Sequence, residues 1–205
     1  MRLSVTEKSD KKIVFKIDEI DHAFANALRR VVLNGIPTMA IEDVYFETNT
    51  SGFFDEVLAH RLGLIPLTYD KNIYNLKEEC KCDGKGCIQC EVVLGVEKEG
   101  PCIVKASDLK STDETVKPSE PDIPVVELLE GQKLKLEATA KLGIGKEHSK
   151  WQASVASYKE SSRNSFVFTI ESVSGMSATE VLEKGLETLE KKSEEFIEEF
   201  KKVVK

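Results

Sequence analysis

Long apolar runs are missing from this 205-residue sequence, and its first residues lack the apolar core of a secretory signal peptide. A membrane-spanning helix needs about 20 consecutive apolar residues, and no segment approaches that length. The composition is otherwise that of a globular protein, with 40% hydrophobic and 32% charged residues, enough for one large core or two small ones. We therefore expect a cytoplasmic protein that does not enter a membrane.

An excess of basic residues is also missing. The chain has 29 Lys and Arg residues against 36 Asp and Glu residues, which gives a net charge of −7 at pH 7. Proteins that bind nucleic acid use Lys and Arg to neutralise phosphates. The excess of acidic residues therefore argues against direct DNA binding, although a local basic patch remains compatible with it.

Histidine is scarce, and this limits the catalytic chemistry that the chain can perform. His22, His60 and His148 are isolated in sequence, and none belongs to a pair with metal-ligand spacing. No Ser or Cys lies in a nucleophile-elbow motif. We expect no catalytic residue in this chain.

The N-terminal segment predicts a β-hairpin followed by an amphipathic helix. Residues 1–6 and 11–17 indicate the two strands. Asp21 is a suitable N-cap for a helix over His22–Asn34, and Gly35 is a residue type that commonly ends helices. The apolar residues of that helix recur at helical spacing and form one stripe: Phe24, Ala27, Leu28, Val31 and Val32.

The middle of the chain is mostly β in character. Residues 41–48 and 133–142 predict strands, the second with apolar residues at every other position. Residues 54–62 predict a short helix. Residues 110–124 are rich in Ser, Thr, Asp, Glu and Pro, which predicts a solvated loop.

The C-terminal segment predicts a strand over residues 166–170 and then a long helix. Ser177 and Glu180 have the spacing of a capping box, and a helix from there to the C-terminus would be roughly 40 Å long. Its apolar stripe could pack entirely on this chain's own core, or part of it could pack on a partner, and periodicity does not decide between the two. The stripe consists of Leu182, Leu186, Leu189, Phe196, Phe200 and Val203.

Four of the five cysteines form a C-x-C-x4-C-x2-C cluster: Cys80, Cys82, Cys87 and Cys90. Four thiolates this close in sequence can bind one tetrahedral zinc ion, which would order a loop with few apolar residues. The last three also have the C-x4-C-x2-C spacing of plant-type iron–sulfur ferredoxins, and free thiols are a third possibility. Cys102 is expected to be a buried thiol rather than a ligand.

Four stretches, in this order along the chain, carry a family resemblance. They are residues 26–41 (NALRRVVLNGIPTMAI), 55–67 (DEVLAHRLGLIPL), 143–151 (GIGKEHSKW) and 168–172 (FTIES) with the final helix behind it. Together they resemble the α-like subunits of cellular RNA polymerases, and in detail the archaeal D subunits (Rpo3), which are similar to the third-largest eukaryotic subunit. The resemblance covers essentially the whole chain.

The resemblance implies an α+β fold in which a dimerisation domain is interrupted by a mainly-β insert domain. The dimerisation domain, a sheet with two long helices, would combine residues 1–40 with 158–205. The insert, residues 41–157, would carry the four-cysteine loop. The chain would be a non-catalytic assembly subunit that forms a heterodimer with the small L subunit (Rpo11). Subunits N and P would join this platform, and the large subunits that dock on it would contain the polymerase active site.

The resemblance also assigns roles to individual residues. Arg29, Arg30 and Arg61 would contact a large subunit. Many archaeal D subunits bind iron–sulfur clusters in a ferredoxin-like insert, but residues 159–164 stand at that position here without a cysteine, so we expect zinc in preference to iron–sulfur. The residues expected at the interface with the small subunit are Phe24, Leu28, Val31, Val32, Leu182, Leu186, Leu189, Phe196 and Phe200.

Two other functions remain compatible with the residues themselves. One is an iron–sulfur electron carrier that uses the loop from Cys80 to Cys90. The other is a freestanding zinc-binding homodimer that pairs through the same helical stripes.

Overall fold

A computed structural model of the protein describes residues 1–204, which fall into two compact units. We call them the terminal unit, made of Met1–Ile36, Ile144–Lys146 and the chain from Gln152 onwards, and the central unit, made of Pro37–Gly143 and Glu147–Trp151. Within residues 1–204 the α-helices are α1 (His22–Asn34), α2 (Asp55–Gly63) and α3 (Ala178–Val203). The strands are β1 (Arg2–Lys8), β2 (Lys12–Asp18), β3 (Pro37–Asn49), β4 (Leu67–Thr68), β5 (Glu91–Glu99), β6 (Cys102–Lys105), β7 (Lys110–Ser111), β8 (Lys117–Pro118), β9 (Pro124–Leu128), β10 (Lys133–Ile144), β11 (Ser154–Ser162) and β12 (Ser165–Ser172).

The terminal unit is built on an antiparallel sheet with the strand order β1-β2-β12-β11. Apolar residues alternate along β2 and β12, so that one face of both strands is buried. At the centre of that face the rings of Phe15 and Phe168 stack with their centroids 5.2 Å apart. Helices α1 and α3 pack on this face and against each other.

Helix α1 has the predicted limits. It begins because the Asp21 carboxylate accepts a hydrogen bond of 2.8 Å from the amide of Phe24. Gly35 ends it with φ −103°, which is right-handed backbone that any residue adopts. The reason for glycine at this position is close packing, because a Cβ atom there would lie 2.8 Å from Cγ2 of Val31.

The central unit contains a second sheet with the order β3-β10-β5-β7, and two small two-stranded sheets, β4-β8 and β6-β9. Strand β10 is the alternating strand that the sequence predicts, and its apolar face is buried. Helix α2 and the sheets enclose a core whose largest fully buried side chains are Ile41, Leu58, Leu62, Ile65, Leu67, Leu94 and Leu128.

These elements confirm the predicted α+β class. No helix among residues 1–204 is both long enough and apolar enough to span a membrane.

Candidate partner surface and candidate metal centre

Helix α3 begins at the predicted capping box. The amide of Glu180 donates to the Ser177 hydroxyl at 3.3 Å, and the Ser177 amide donates to the Glu180 carboxylate at 2.8 Å. The first turns bury small residues, Ala178, Val181 and Gly185. A Cβ atom on Gly185 would lie 2.6 Å from Cγ1 of Val32, so glycine allows α3 to cross close to α1.

The large apolar residues of α3 lie mostly outside the core of the terminal unit. Leu182 and Leu189 are half-buried against it, whereas Leu186 is 44% exposed. Further along, Phe196 is 71% exposed and Phe200 is 57% exposed, and their stacked rings are 6.3 Å apart. The interpretation in which the whole stripe packs on the chain's own core is therefore wrong for the second half of the helix.

The predicted partner contacts on α1 divide into two groups. Phe24 is 37% exposed and lies on the surface. Leu28, Val31 and Val32 are buried, because that face of α1 packs on the sheet and on α3. The chain itself covers this part of the apolar face that periodicity identified, and the contact of these three residues with a partner stays a prediction.

Arg29 and Arg30 lie beside a cavity of about 550 Å³ between α1 and α3. Lys146 and Lys192 line the same cavity, and its apolar lining includes Leu33 and Leu189. The Arg29 guanidinium donates to the Asn26 side chain at 3.1 Å. Within residues 1–204 none of these four cations forms an ion pair, so the cavity is a local basic patch in an acidic chain. Sequence reasoning did not identify Lys146 and Lys192, because they are distant in sequence from the two arginines.

Arg61 lies in the central unit, on α2. Its guanidinium donates to the carbonyl oxygen of Pro124 at 2.7 Å and lies 5.7 Å from the centroid of the Phe53 ring. The neighbouring Phe54 is 80% exposed. Arg61 is thus fixed by its own unit beside an exposed aromatic side chain.

The four predicted ligand cysteines come together in a loop of the central unit, with all four sulfur atoms within 4.8 Å of one another. The sulfur–sulfur distances are 3.6 Å for Cys80 and Cys87, 3.7 Å for Cys82 and Cys90, and 3.8 Å for Cys87 and Cys90. Thiolates at zinc–sulfur distances of about 2.3 Å in a tetrahedron would be about 3.8 Å apart. A disulfide needs about 2.05 Å. The donor set therefore fits one tetrahedral ion.

The backbone of this loop turns tightly around the sulfur atoms. Asp83, Gly84 and Gly86 have φ values of 53°, 73° and 90°, the left-handed region that glycine adopts easily. The amide of Cys87 donates to Cys90 Sγ at 3.2 Å, and the amide of Gln89 donates to Cys87 Sγ at 3.4 Å. Donors aimed at sulfur favour the thiolate, which is the form that binds metal.

The protonation of the thiols follows from their surroundings. Burial raises the pKa of Cys90 to about 12. Burial also acts to raise the pKa of Cys82, but hydrogen bonds from Cys80 and from the Gly86 backbone outweigh it and lower the pKa of that thiol to about 7. A cation among the four sulfur atoms would favour the charged form of every one of them.

Cys102 lies outside this cluster. Cys102 lies on β6, and its thiol donates to the carbonyl oxygen of Glu99 at 3.5 Å. The side chain is half-buried rather than buried, and the structure does not bring it to the other four sulfur atoms.

Comparison with known proteins gives consistent matches. A family model described as the RNA polymerase Rpb3/RpoA insert domain matches residues 44–160. The DNA-directed RNA polymerase subunit Rpo3 of Methanosarcina mazei is 46% identical over 157 residues, which are 76% of this chain and 59% of that protein. The Rpo3 of Pyrococcus horikoshii is 40% identical over 98% of this chain and 75% of its own length.

The matched share of the relatives varies with the species. The Rpo3 of Methanocaldococcus jannaschii is 40% identical over 88% of this chain, and the match covers 86% of that protein. The chain thus spans about three-fifths of the length of the Methanosarcina mazei relative and most of the Methanocaldococcus jannaschii one.

Proposed function

The chain belongs to the Rpo3 family of DNA-directed RNA polymerase subunits, and from this premise we propose that it is a non-catalytic assembly subunit of such a polymerase. The membership confirms the resemblance that four stretches of the sequence carry. The terminal unit would be the dimerisation domain and the central unit the insert domain. The family model supports the second assignment, because its description names an insert domain and it matches residues 44–160.

The observation that carries this proposal is the exposed apolar stripe on the second half of α3. Exposed aromatic side chains on consecutive turns are unfavourable in water and mark a protein–protein interface. We propose that Leu186, Phe196 and Phe200, with Leu182 and Leu189 at the edge and Phe24 on α1, contact the small L subunit (Rpo11) in a heterodimer. Leu28, Val31 and Val32 would hold α1 in place beneath that interface.

The basic cavity would be the second docking surface. Four cations without ion-pair partners favour an acidic segment, and a position beside the α3 stripe would couple pairing to the next assembly step. We propose that Arg29 and Arg30 contact a large catalytic subunit here and that Arg61 contacts one from the central unit, with subunits N and P completing the platform.

The polymerase active site would lie in the large subunits. Among residues 1–204 the four cysteines are the one group of three or more side chains able to hold a metal ion. Nucleotidyl transfer uses metal ions held by carboxylates, and this chain gathers thiols instead. The chain would therefore support transcription through assembly.

We propose zinc as the ion of the four-cysteine loop. Four protein ligands fill a tetrahedral site and leave no open position, which is typical of structural zinc. The sulfur spacing favours zinc over iron–sulfur, because the thiolates of an iron–sulfur cluster bind different iron atoms and lie farther apart. The same argument disfavours the electron-carrier alternative.

Co-expression with a candidate L-type small subunit tests the proposal. We expect one heterodimer on size exclusion, about one zinc per complex, and no absorbance near 400 nm in anaerobically prepared protein. A chain that stays monomeric at micromolar concentration without binding the small subunit would refute the assembly role. A brown, iron-containing protein would support the electron carrier.

Docking of the large subunits needs a separate assay on the purified heterodimer. Arg30→Glu with Lys192→Glu should reduce recruitment of the large subunits and leave the heterodimer intact. Glu198→Lys, a charge reversal on the opposite side of α3, is the matched control. Equal recruitment by both variants would remove the basic cavity from the docking surface.

A further inference from the structure

An ion pair joins the two ends of the four-cysteine loop. The Lys77 ammonium lies 2.6 Å from the Glu91 carboxylate, and all four ligand cysteines stand between these two residues in sequence. The two side chains are 32% and 25% exposed, so solvent screens this pair less than it screens a fully exposed one. The pair is therefore placed to hold the ends of the loop together.

The backbone connects each member of this pair to a ligand. The amide of Cys80 donates to the carbonyl oxygen of Lys77 at 3.4 Å. On the other side of the loop, the amide of Glu91 donates to the carbonyl oxygen of Cys87 at 2.9 Å. Glu91 also follows the ligand Cys90 directly in sequence. A shift of the backbone at either charged residue would therefore move a ligand cysteine with it.

The Glu91 carboxylate also lies against the turn at the other end of the loop. A Cβ atom on Gly86 would overlap that carboxylate, and Gly86 has a φ of 90°. Glycine at this position allows the left-handed backbone and leaves room for the carboxylate. The backbone of Gly86 in turn hydrogen-bonds the Cys82 thiol. One carboxylate thus contacts the base of the loop through Lys77 and the turn through Gly86.

We propose that the Lys77–Glu91 ion pair positions the four thiols for metal binding, so that the loop is ordered before the ion enters. The inference rests on the proposed zinc site and names two residues that hold its shape without binding the ion. Ile88, between the last two ligands, is 87% exposed, so burial of apolar surface contributes little to the order of this segment. Groups that orient the ligands of a metal site typically change metal affinity about 10- to 100-fold.

Competition for zinc with a chromophoric chelator measures this effect in the 205-residue chain. Lys77→Met removes the ammonium but keeps most of the aliphatic side chain, and it should weaken zinc binding about tenfold. Lys77→Arg keeps the ion pair and should restore the affinity to within about twofold. Lys81→Met is the matched control, because Lys81 lies between two ligands, is exposed and forms no ion pair within residues 1–204. An equal loss in the control would assign the effect to charge alone and overturn the inference.

A double-mutant cycle separates the ion pair from other effects of its two residues. If the pair acts as a unit, Glu91→Gln should weaken zinc binding about as much as Lys77→Met does. The variant with both substitutions should then bind zinc little more weakly than either single variant. Additive losses, or a zinc affinity that Lys77→Met leaves unchanged, would refute the inference.

Tryptic cleavage after Lys85 tests the order of the loop without metal. Lys77→Met should speed this cleavage in the metal-free chain, and saturating zinc should slow it to the same rate in the variant and the unaltered chain. Equal rates in the two metal-free chains would contradict the inference and leave the zinc site in place. An unaltered chain that bound no zinc in the competition assay would instead refute the proposed zinc site, and the inference with it.

Discussion

The four-cysteine loop and the end of α3 are both incomplete in the isolated chain, and they differ in how much they reveal about what completes them. The loop holds four sulfur atoms within 4.8 Å of one another, with amide donors directed at two of them. The end of α3 presents Phe196 and Phe200 largely to solvent, with their rings stacked on each other. One region is fixed in shape before its occupant binds, and the other is only a surface.

This difference separates two kinds of specificity. The number of thiolates and the distances among them limit the coordination number, geometry and size of the ion that can bind. An apolar stripe indicates that an apolar surface binds there, and its length limits the size of the contact. It does not identify the partner, which is inferred from the family relationship. We therefore expect the two regions to respond independently to substitution, and the following experiments test that independence in order of decreasing effect.

Removal of one ligand should cause the largest change. Cys90→Ser should abolish stoichiometric zinc binding, since structural zinc sites contribute on the order of 10 kcal/mol of apparent binding free energy. Limited proteolysis should then cut between Lys77 and Glu91, and metal analysis gives the stoichiometry. Cys102→Ser, outside the cluster, should change neither the zinc stoichiometry nor the cleavage pattern. If Cys90→Ser also abolished pairing with the small subunit, the two regions would not be independent.

Leu28→Ala should lower the stability of the terminal unit by about 2–5 kcal/mol, as expected for a large side chain removed from a packed core. Leu28 is 1% exposed, so the effect should appear in urea unfolding of the chain itself rather than only in its affinity for a partner. Phe24→Ala on the exposed side of the same helix is the control and should cost far less. If Leu28→Ala left the stability unchanged and weakened pairing, Leu28 would instead contact the partner.

Phe200→Ala should have the opposite signature, with pairing weakened by about 2 kcal/mol or more and the chain's own stability nearly unchanged. The side chain is 57% exposed, so its truncation leaves no cavity in the isolated chain. Glu198→Ala, on the opposite side of α3, provides the matched control. Titration calorimetry against the small subunit measures the difference, and retained zinc would confirm that the loop is unaffected.

The best sequence predictions came from residues whose role is local. Asp21 and Ser177 cap helices through their own side chains, and the cysteine spacing sets which sulfur atoms can meet. Each of these signals acts over a few residues, so no knowledge of the tertiary fold is needed to interpret it.

The failures came from residues whose role depends on what packs opposite them. Periodicity found the apolar face of α1 but could not say that this chain's own sheet covers Leu28 and Val32. Strand β5 has the same alternation as β10, at Val92, Leu94 and Val96, and a period-two search would have found it. Strand β11 is largely polar and exists because it pairs with β12, so no local signal identifies it. Lys146 and Lys192 are distant in sequence from Arg29 and Arg30, and only the folded chain brings them to the basic cavity.

The smallest expected effect tests whether the two ends of α3 are energetically separate. Ser177→Ala removes the hydroxyl that accepts from the Glu180 amide, and loss of such a cap costs about 1 kcal/mol. The substitution should therefore lower the thermal stability of the terminal unit. Because the cap lies more than ten residues before Phe196, the affinity for the small subunit should stay within about twofold. Ser177→Thr keeps the acceptor and should restore stability. A loss of affinity as large as that of Phe200→Ala would mean that α3 folds as one unit only when its start is capped, and that its exposed half depends on the chain's own core as well as on a partner.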